Sequence, residues 1–242
     1  MTTTTHTDWP TQIHLAGQTA APEGPVDMFM MYVMHHAFRR DLAMLAEAAL
    51  ATPVGDRVAW RLLQQRWSVF HEALHGHHTG EDAGLWPLLL ERCTDEDRAT
   101  LEAMEAEHAE FEPLLEACDH GFARLAERAD DDARAALAVR LAATRECLAR
   151  HLRHEETGAI PILQRVCTQA DWDRLDEEHF KGDLTLGKVL RVVPWAAYGV
   201  PREVLDGVFA KAGPGFRLVW LLTRGRFARR QARAFRHVAD AG

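Results

Sequence analysis

One short pattern occurs twice in this chain, and it places a histidine, a glutamate and a proline at fixed distances. The first copy is His77-x-x-x-Glu81 followed by Pro87, and the second is His151-x-x-x-Glu155 followed by Pro161. Residues four apart project from one face of a helix. An imidazole nitrogen and a carboxylate oxygen on one face can hold one metal ion, or two ions that share the carboxylate. A single copy arises by chance in many helices, whereas two copies on apolar stripes predict a metal site.

Four segments repeat apolar residues at helical spacing. Helices are predicted from Asp27 to about Leu50, after Asp56, from Thr94, and after the acidic run that ends at Asp132. No stretch alternates long enough for a sheet, and the breaks between the helices are short. This pattern predicts an all-α fold, an antiparallel four-helix bundle with a C-terminal helical extension.

Each of the four stripes contains one histidine, and two also contain a glutamate: His35, His77, Glu81, His108, His151 and Glu155. An unpaired polar group in a core costs about 1–3 kcal/mol. One histidine on an apolar face is more often a core residue than a ligand, but six such groups on converging faces can satisfy one another through metal. Imidazole and carboxylate without thiolate favour iron or manganese, and zinc less specifically. Carboxylates on facing helices can bridge two ions about 3.5–4 Å apart.

Two assignments have alternatives. His36 neighbours His35, but only His35 falls on the apolar stripe, so His35 is favoured and His36 is kept as an additional candidate ligand. The spacing of His78 and Asp82 also suits a metal. We expect His78 instead to lie on an exposed polar face, because His71 and His75 share that face.

The ordered set of residues resembles the hemerythrin-like, HHE cation-binding family over roughly residues 27–165. The resemblance rests on His35 with Arg39-Arg40, the two His-x-x-x-Glu motifs with their prolines, and Glu107-His108. It implies a non-haem di-iron centre in a four-helix bundle. By resemblance, Glu81 and Glu155 bridge the irons and His35, His77, His108 and His151 are terminal ligands. It further implies that the centre binds or reacts with O2, peroxide or nitric oxide.

The chain departs from the oxygen carriers of that family, which have two histidines four apart on the third helix. Here Met104 and Glu112 flank His108 at those distances. One iron is then more open or takes Glu112 or water, which makes Glu112 an additional candidate ligand. This favours catalase- or peroxidase-like chemistry, or nitric oxide binding, over reversible O2 carriage. A sensor or iron-binding module without turnover, and an interaction protein with a structural metal, stay open as alternatives.

Charge divides the chain into regions. Residues 1–180 carry 16 Lys and Arg against 32 Asp and Glu, whereas residues 181–242 carry 12 against 4. We predict a flexible N-terminal arm over 1–26, the metal-binding bundle over 27–168, and a basic helical extension over 169–242. The basic segment 216–237 is expected to dock on the acidic bundle. Peripheral contact with an anionic membrane is the first alternative and a partner or nucleic acid the second, although no nucleic-acid motif is present.

The remaining sequence features concern the cellular location and the cysteines. No apolar run approaches the roughly 18 residues of a membrane span, and the first residues lack a signal-peptide pattern. The four cysteines form no close pair, so reduced thiols and a cytoplasmic location are expected. No thiol has the surroundings of a nucleophile, and no catalytic side chain is assigned. The oligomeric state is left open.

Overall fold

The computed structural model describes residues 8–182 and 185–238, and within them the chain forms helices and no strand. The helices are α1 (Phe29–Ala51), α2 (Arg57–Gly80), α3 (Trp86–Arg92), α4 (Asp95–Glu127), α5 (Asp131–His154), α6 (Ile160–Val166), α7 (Gln169–Leu175), α8 (Leu186–Ala196), α9 (Arg202–Ala212) and α10 (Pro214–Ala234). Two π-helical segments join consecutive helices, Glu81–Leu85 and Glu155–Ala159, and a third, Asp176–Phe180, directly follows α7.

The four long helices α1, α2, α4 and α5 form the bundle. Helix α4 packs against α2 and α5, and α1 packs against α5 and α2, so the four close into a ring. Local sequence fixes two of the helix starts, because the Asp56 carboxylate accepts the Ala59 N–H at 3.1 Å and Asp130 accepts the Ala133 N–H at 2.9 Å. The first helix begins at Phe29, two residues after the predicted cap Asp27. The predicted all-α bundle with a helical extension is confirmed.

Two apolar parts of the core lie on either side of a polar layer, and a third packs α1 against the end of α8 and against α9. One of the first two parts contains Phe38, Leu74 and Phe111. The other contains Met31 and Met104, with further side chains from α3, α6 and α7. The histidines of the four stripes lie between these parts, because each stands one helical turn from apolar residues on both sides. The bundle therefore carries a polar layer enclosed by hydrophobic packing.

The N-terminal segment is irregular, and its described part, 8–28, packs on the bundle. Val26 is fully buried, and its N–H donates to the Gln164 side chain at 2.9 Å. The Thr19 N–H donates to Glu156 at 2.7 Å. The first seven residues lie outside the described part of the chain, and the prediction that 1–26 is flexible stays a prediction.

A buried ion pair ties the C-terminal extension to the bundle. The fully buried Asp41 carboxylate of α1 lies 2.7 Å from the Arg66 guanidinium of α2 and 2.7 Å from that of Arg40. It also accepts the indole N–H of Trp195 from α8 at 2.7 Å. Burial lowers the pKa of Arg66 to about 10. A buried charged group of the bundle therefore holds the extension through Trp195.

The basic last helix lies against the bundle, as predicted. Ala234 and Phe235 join the apolar core, and Asp56 at the start of α2 pairs with Arg236 and His237. Residues 239–242, at the end of the predicted extension, lie outside the described range. None of the helices described combines the length and the hydropathy needed to cross a bilayer.

Candidate metal centre

The polar layer brings seven side chains together in two groups. The first group is His35, His77, Glu81 and Glu155, and the second is His78, Glu81, His108 and His151. Within each group, one nitrogen or carboxylate oxygen per residue lies within 4.8 Å of all the others, and every member is buried. Glu81 belongs to both groups. The arrangement is consistent with a dinuclear metal site in which Glu81 is shared.

The partners of His35 fix which of its ring nitrogens carries the proton. Its Nδ1 lies 3.0 Å from Glu156 Oε1, and because a carboxylate only accepts, Nδ1 is the donor. Its Nε2 lone pair then faces Glu155 Oε2 at 3.2 Å. Glu156 is itself held by both Arg39 nitrogens, at 2.7 and 3.0 Å. Two lone pairs at this distance need a proton or a cation between them.

The same arrangement recurs in the second group. His108 Nδ1 donates to Asp82 at 2.7 Å, and His151 Nδ1 donates to Glu107 at 2.9 Å. Both Nε2 atoms therefore carry lone pairs, and they face each other at 3.2 Å. Histidine ligands of metal ions typically donate their other ring N–H to a carboxylate in this way. The second group thus has the protonation pattern of a metal site.

Among the described residues, seven buried atoms of the two groups have no hydrogen-bond partner. They are Nε2 of His35, His77 and His78 and both carboxylate oxygens of Glu81 and Glu155. Two pairs of these atoms, His35 Nε2 with Glu155 Oε2 and His77 Nε2 with Glu81 Oε1, lie 3.2 Å apart but without the geometry of a hydrogen bond. Buried polar atoms are nearly always paired, and each unpaired one costs about 1–3 kcal/mol. A cation at each group would satisfy all of them at once. The donor set therefore fits a pair of metal ions.

The pKa values of the buried side chains also indicate a place for positive charge in the polar layer. Burial and the neighbouring Glu155 raise the pKa of Glu81 well above its usual range. Burial opposes ionisation of Glu155, but His35 outweighs it and lowers the Glu155 pKa to about 2. Burial and His35 lower the pKa of His77 to about 3, which keeps its ring neutral. Burial opposes protonation of His35, but Glu155 and Glu156 outweigh it and raise the pKa of His35 to about 9. Without metal, the layer therefore keeps a proton between His35 and Glu155, where a cation could take its place.

Residues 28–163 match the family model described as the Hemerythrin HHE cation binding domain. This chain belongs to that family. Comparisons with curated proteins and with solved structures give no match. The HHE domain covers the whole bundle with both His-x-x-x-Glu motifs, whereas α7 to α10 lie beyond it.

All six side chains predicted as ligands point into the polar layer of the HHE domain. The two additional candidates do not join the groups. The His36 ring is partly exposed and lies 3.4 Å from the carbonyl oxygen of Ala16. Glu112 is exposed at the surface, where its nearest ionisable partner is His75 at 3.8 Å. The prediction that Glu155 bridges alongside Glu81 stays a prediction, since Glu155 belongs to the first group alone.

The prediction that His78 lies on an exposed face is wrong. His78 is 7 % exposed, and its ring stacks on that of His108 with centroids 3.9 Å apart. His75 does turn outward as expected, with its side chain 65 % exposed, whereas the His71 side chain is 25 % exposed and lies 3.0 Å from Asp119. The spacing of three residues between His78 and Glu81 could have predicted this position, because residues three apart also share a helix face.

The glutamates of both motifs begin a π-helical segment, which the sequence did not predict. The N–H of Trp86 donates to the Glu81 carbonyl, and the N–H of Ile160 donates to the Glu155 carbonyl. Pro87 and Pro161 then occupy the first turn of the next helix. Such wider turns often occur at functional sites. Here each one begins at a buried glutamate of the polar layer, Glu81 in one motif and Glu155 in the other.

Proposed function

We propose that this protein is a non-haem di-iron protein whose centre binds or reacts with O2, peroxide or nitric oxide. The proposal rests chiefly on the seven unpaired buried atoms that converge on two groups sharing Glu81. Imidazole and carboxylate donors without thiolate favour iron over zinc, with manganese as the nearest alternative. Two iron ions side by side supply a redox centre that exchanges two electrons with a small bound ligand.

The residues of the chain have separate roles in this proposal. His35, His77 and Glu155 would hold the first ion and His78, His108 and His151 the second, and Glu81 belongs to both groups. Each group offers four protein donors, which leaves room for a small ligand on iron.

Carboxylates outside the two groups orient the imidazoles. Asp82, Glu107 and Glu156 accept the Nδ1 protons of three of the rings, so that each Nε2 lone pair faces the centre. The two apolar parts of the core keep bulk water away from the layer. The chain thereby holds three of the proposed ligand rings with Nε2 toward the centre before metal binds.

The position of His78 is relevant to whether the centre carries O2 reversibly or reacts with a bound ligand. A third imidazole on the second ion comes from α2, while the positions four before and after His108 hold the buried Met104 and the exposed Glu112. The ligand set thus differs from the oxygen-carrier pattern described above. With His78 in the second group, however, the two groups together offer five imidazoles. The missing imidazole that favoured peroxide chemistry in the sequence is therefore supplied by α2, and the ligand assays below decide between carriage, reaction and nitric oxide binding.

Metal analysis of the purified protein tests the centre. About two irons per chain are expected, with near-ultraviolet absorption from an iron pair. His35→Ala and His78→Ala should each lower the content to about one, and Glu81→Ala should lower it further. His36→Ala is the matched control for its neighbour and should keep both irons. Failure to bind iron after anaerobic reconstitution, or full iron content in Glu81→Ala, would overturn the proposal.

Ligand assays on the iron-loaded protein separate an enzyme from a binding module. Rapid loss of added peroxide, abolished in Glu81→Ala, supports turnover. A nitric oxide complex without peroxide loss supports a sensor or store. An iron-loaded protein that is inert to O2, peroxide and nitric oxide would leave the metal a structural role and refute the ligand chemistry.

A peripheral membrane contact through 216–237 is a second proposal, and the exposed face of α10 supports it. Leu218, Leu221 and Leu222 are 57 %, 47 % and 74 % exposed, and at 100° per residue they lie between Arg217 on one side and Arg226 on the other. Such a face suits an anionic bilayer surface. Cosedimentation with phosphatidylserine vesicles should be lost in Leu222→Glu; binding equal to that of the unchanged protein would refute it.

A further inference from the structure

A cavity of about 710 Å³ lies between the bundle and the C-terminal extension. Its walls come from α1 and α2 on the bundle side and from α7, α8 and α9 on the other. The volume falls within the usual range of small-molecule sites, about 300–1,000 Å³. Helices α8 and α9 lie beyond the matched HHE domain, so this chamber is made by what the chain adds to that domain.

The wall is mainly apolar. Met30, Met31 and Met34 line it from α1, and Trp172 and Phe209 line it from the opposite side. Methionine side chains adapt to ligands of irregular shape. An apolar cavity of about 150 Å³ holds one benzene, so on the order of 20 non-hydrogen atoms fit here. The wall suits an extended apolar molecule.

The chamber reaches the candidate metal centre at His77. The His77 ring lines the cavity, and its Nε2 lies 3.2 Å from Glu81 Oε1 on the other side. The Phe180 ring covers part of this boundary, with its centroid 6.0 Å from that of His77. A bound molecule would therefore lie against a residue that we propose as an iron ligand.

The charged side chains on the wall are largely paired. Asp27 pairs with Lys211, Glu72 with Arg191, and Asp176 with Lys181. Asp173 accepts a hydrogen bond from Gln169 at 2.8 Å. Lys188 of α8 also lines the cavity, and within the described chain it has no ion-pair partner. Among the described residues of the wall, Asp173 and Lys188 are thus the aspartate and the lysine outside ion pairs, and Lys188 is the one that can pair with the negative end of a ligand.

We propose that this chamber binds an elongated apolar molecule that ends in a carboxylate, with its chain along the methionine wall and its carboxylate at Lys188. The site stands on the cavity and its lining alone. Only the step that makes its occupant a neighbour or substrate of the iron centre rests on the proposed function.

Titration of the full-length protein with dodecanoate and with dodecanol tests the site. Calorimetry or the fluorescence change of Trp172, identified with Trp172→Phe, reports occupancy and needs no metal. Dodecanoate should bind with saturation at one molecule per chain. Val189→Trp, which fills the cavity from α8, should weaken binding at least tenfold. Val139→Trp is the matched control on an exposed position of α5 and should leave binding unchanged.

The carboxylate is tested separately. Lys188→Met should weaken dodecanoate binding about three- to tenfold, in line with the loss of one partly exposed hydrogen bond, and leave dodecanol binding unchanged. Equal binding of both ligands to the unchanged protein would overturn the role of Lys188. If neither dodecanoate nor dodecanol binds, or if Val189→Trp leaves their binding unchanged, the proposed binding site is refuted. The iron content of the same samples tests the metal centre independently.

Discussion

The Asp41 carboxylate provides a quantitative test of how the extension is attached. Asp41 and Arg66 form a buried pair whose side chains are 0 % and 4 % exposed, so the substitution Asp41→Asn leaves a guanidinium without its counter-charge. Breaking a buried pair by removing one partner costs about 3–5 kcal/mol. For a chain of this size, about 2–4 °C of melting temperature is lost per kcal/mol, which gives a decrease of roughly 6–20 °C.

Differential scanning calorimetry of the two proteins measures this decrease. Asp119→Asn is a matched control, because Asp119 also accepts an indole N–H, that of Trp67, but its side chain is 44 % exposed. Its loss should cost about 1 kcal/mol or less. A decrease below about 3 °C in Asp41→Asn, or one no larger than in the control, would refute the assignment of a strong buried pair.

The same substitution should loosen the extension, because Asp41 also holds the Trp195 indole of α8. Limited trypsin digestion followed by mass spectrometry should then cut Asp41→Asn faster at the lysines and arginines of α8 and α9 than at those of α4. Equal cutting rates in both regions would show that the network stabilises the bundle alone.

The remaining predictions concern packing, thiol reactivity and metal. Gly80→Ala should destabilise the fold by about 1–3 kcal/mol, because a Cβ there would lie 2.9 Å from the Phe180 ring and 3.0 Å from a backbone oxygen. Gly76→Ala should stabilise the fold by about 0.5–1 kcal/mol, because an added Cβ there has nothing within 4 Å. If denaturant melts show the free energy of unfolding of the two variants changing in the same direction, the packing argument is contradicted. Burial raises the pKa of Cys118 to about 11, so iodoacetamide near neutral pH should label the partly exposed Cys93 first and Cys118 only after unfolding, as read by peptide mass. Chelation of metal should lower the melting temperature, and readdition should restore it by about 1.4 kcal/mol per tenfold excess over the dissociation constant; unchanged melting would argue against a bound ion.

Much of the bundle and its polar layer follows from helical periodicity. The stripes through His35, His77, His108 and His151 keep one face over several turns, and the structure buries that face as predicted. Periodicity suffices here because each helix is long and its partners follow closely along the chain. The same regularity brings all six predicted ligands into one layer.

The position of His78 shows where this reasoning stops. A regular helix turns 100° per residue, so neighbouring residues cannot share a narrow stripe. The polar layer is wide enough to take both His77 and His78, because it serves two groups of ligands. That width is a property of four helices together and is not visible in one stripe.

The extension could not be predicted in detail for a different reason. Trp195 donates to an aspartate 154 residues earlier in the chain, and no local pattern links the two. Charge asymmetry correctly favoured docking on the bundle, but it did not predict which helices would meet. The cavity between them likewise depends on that long-range contact.

The fixed distance from glutamate to proline in each motif now has a physical reason. A proline inside a helix has no N–H to donate, and its ring crowds the carbonyl four residues before it. The π-helical segments shift the bonding by one residue just before Pro87 and Pro161, since Trp86 and Ile160 bond to carbonyls five residues back. Each proline thereby falls in the first turn of a new helix, where a missing N–H costs little. The wider turn begins at Glu81 in one motif and Glu155 in the other, so one local device both tolerates the proline and presents a buried carboxylate to the centre of the bundle.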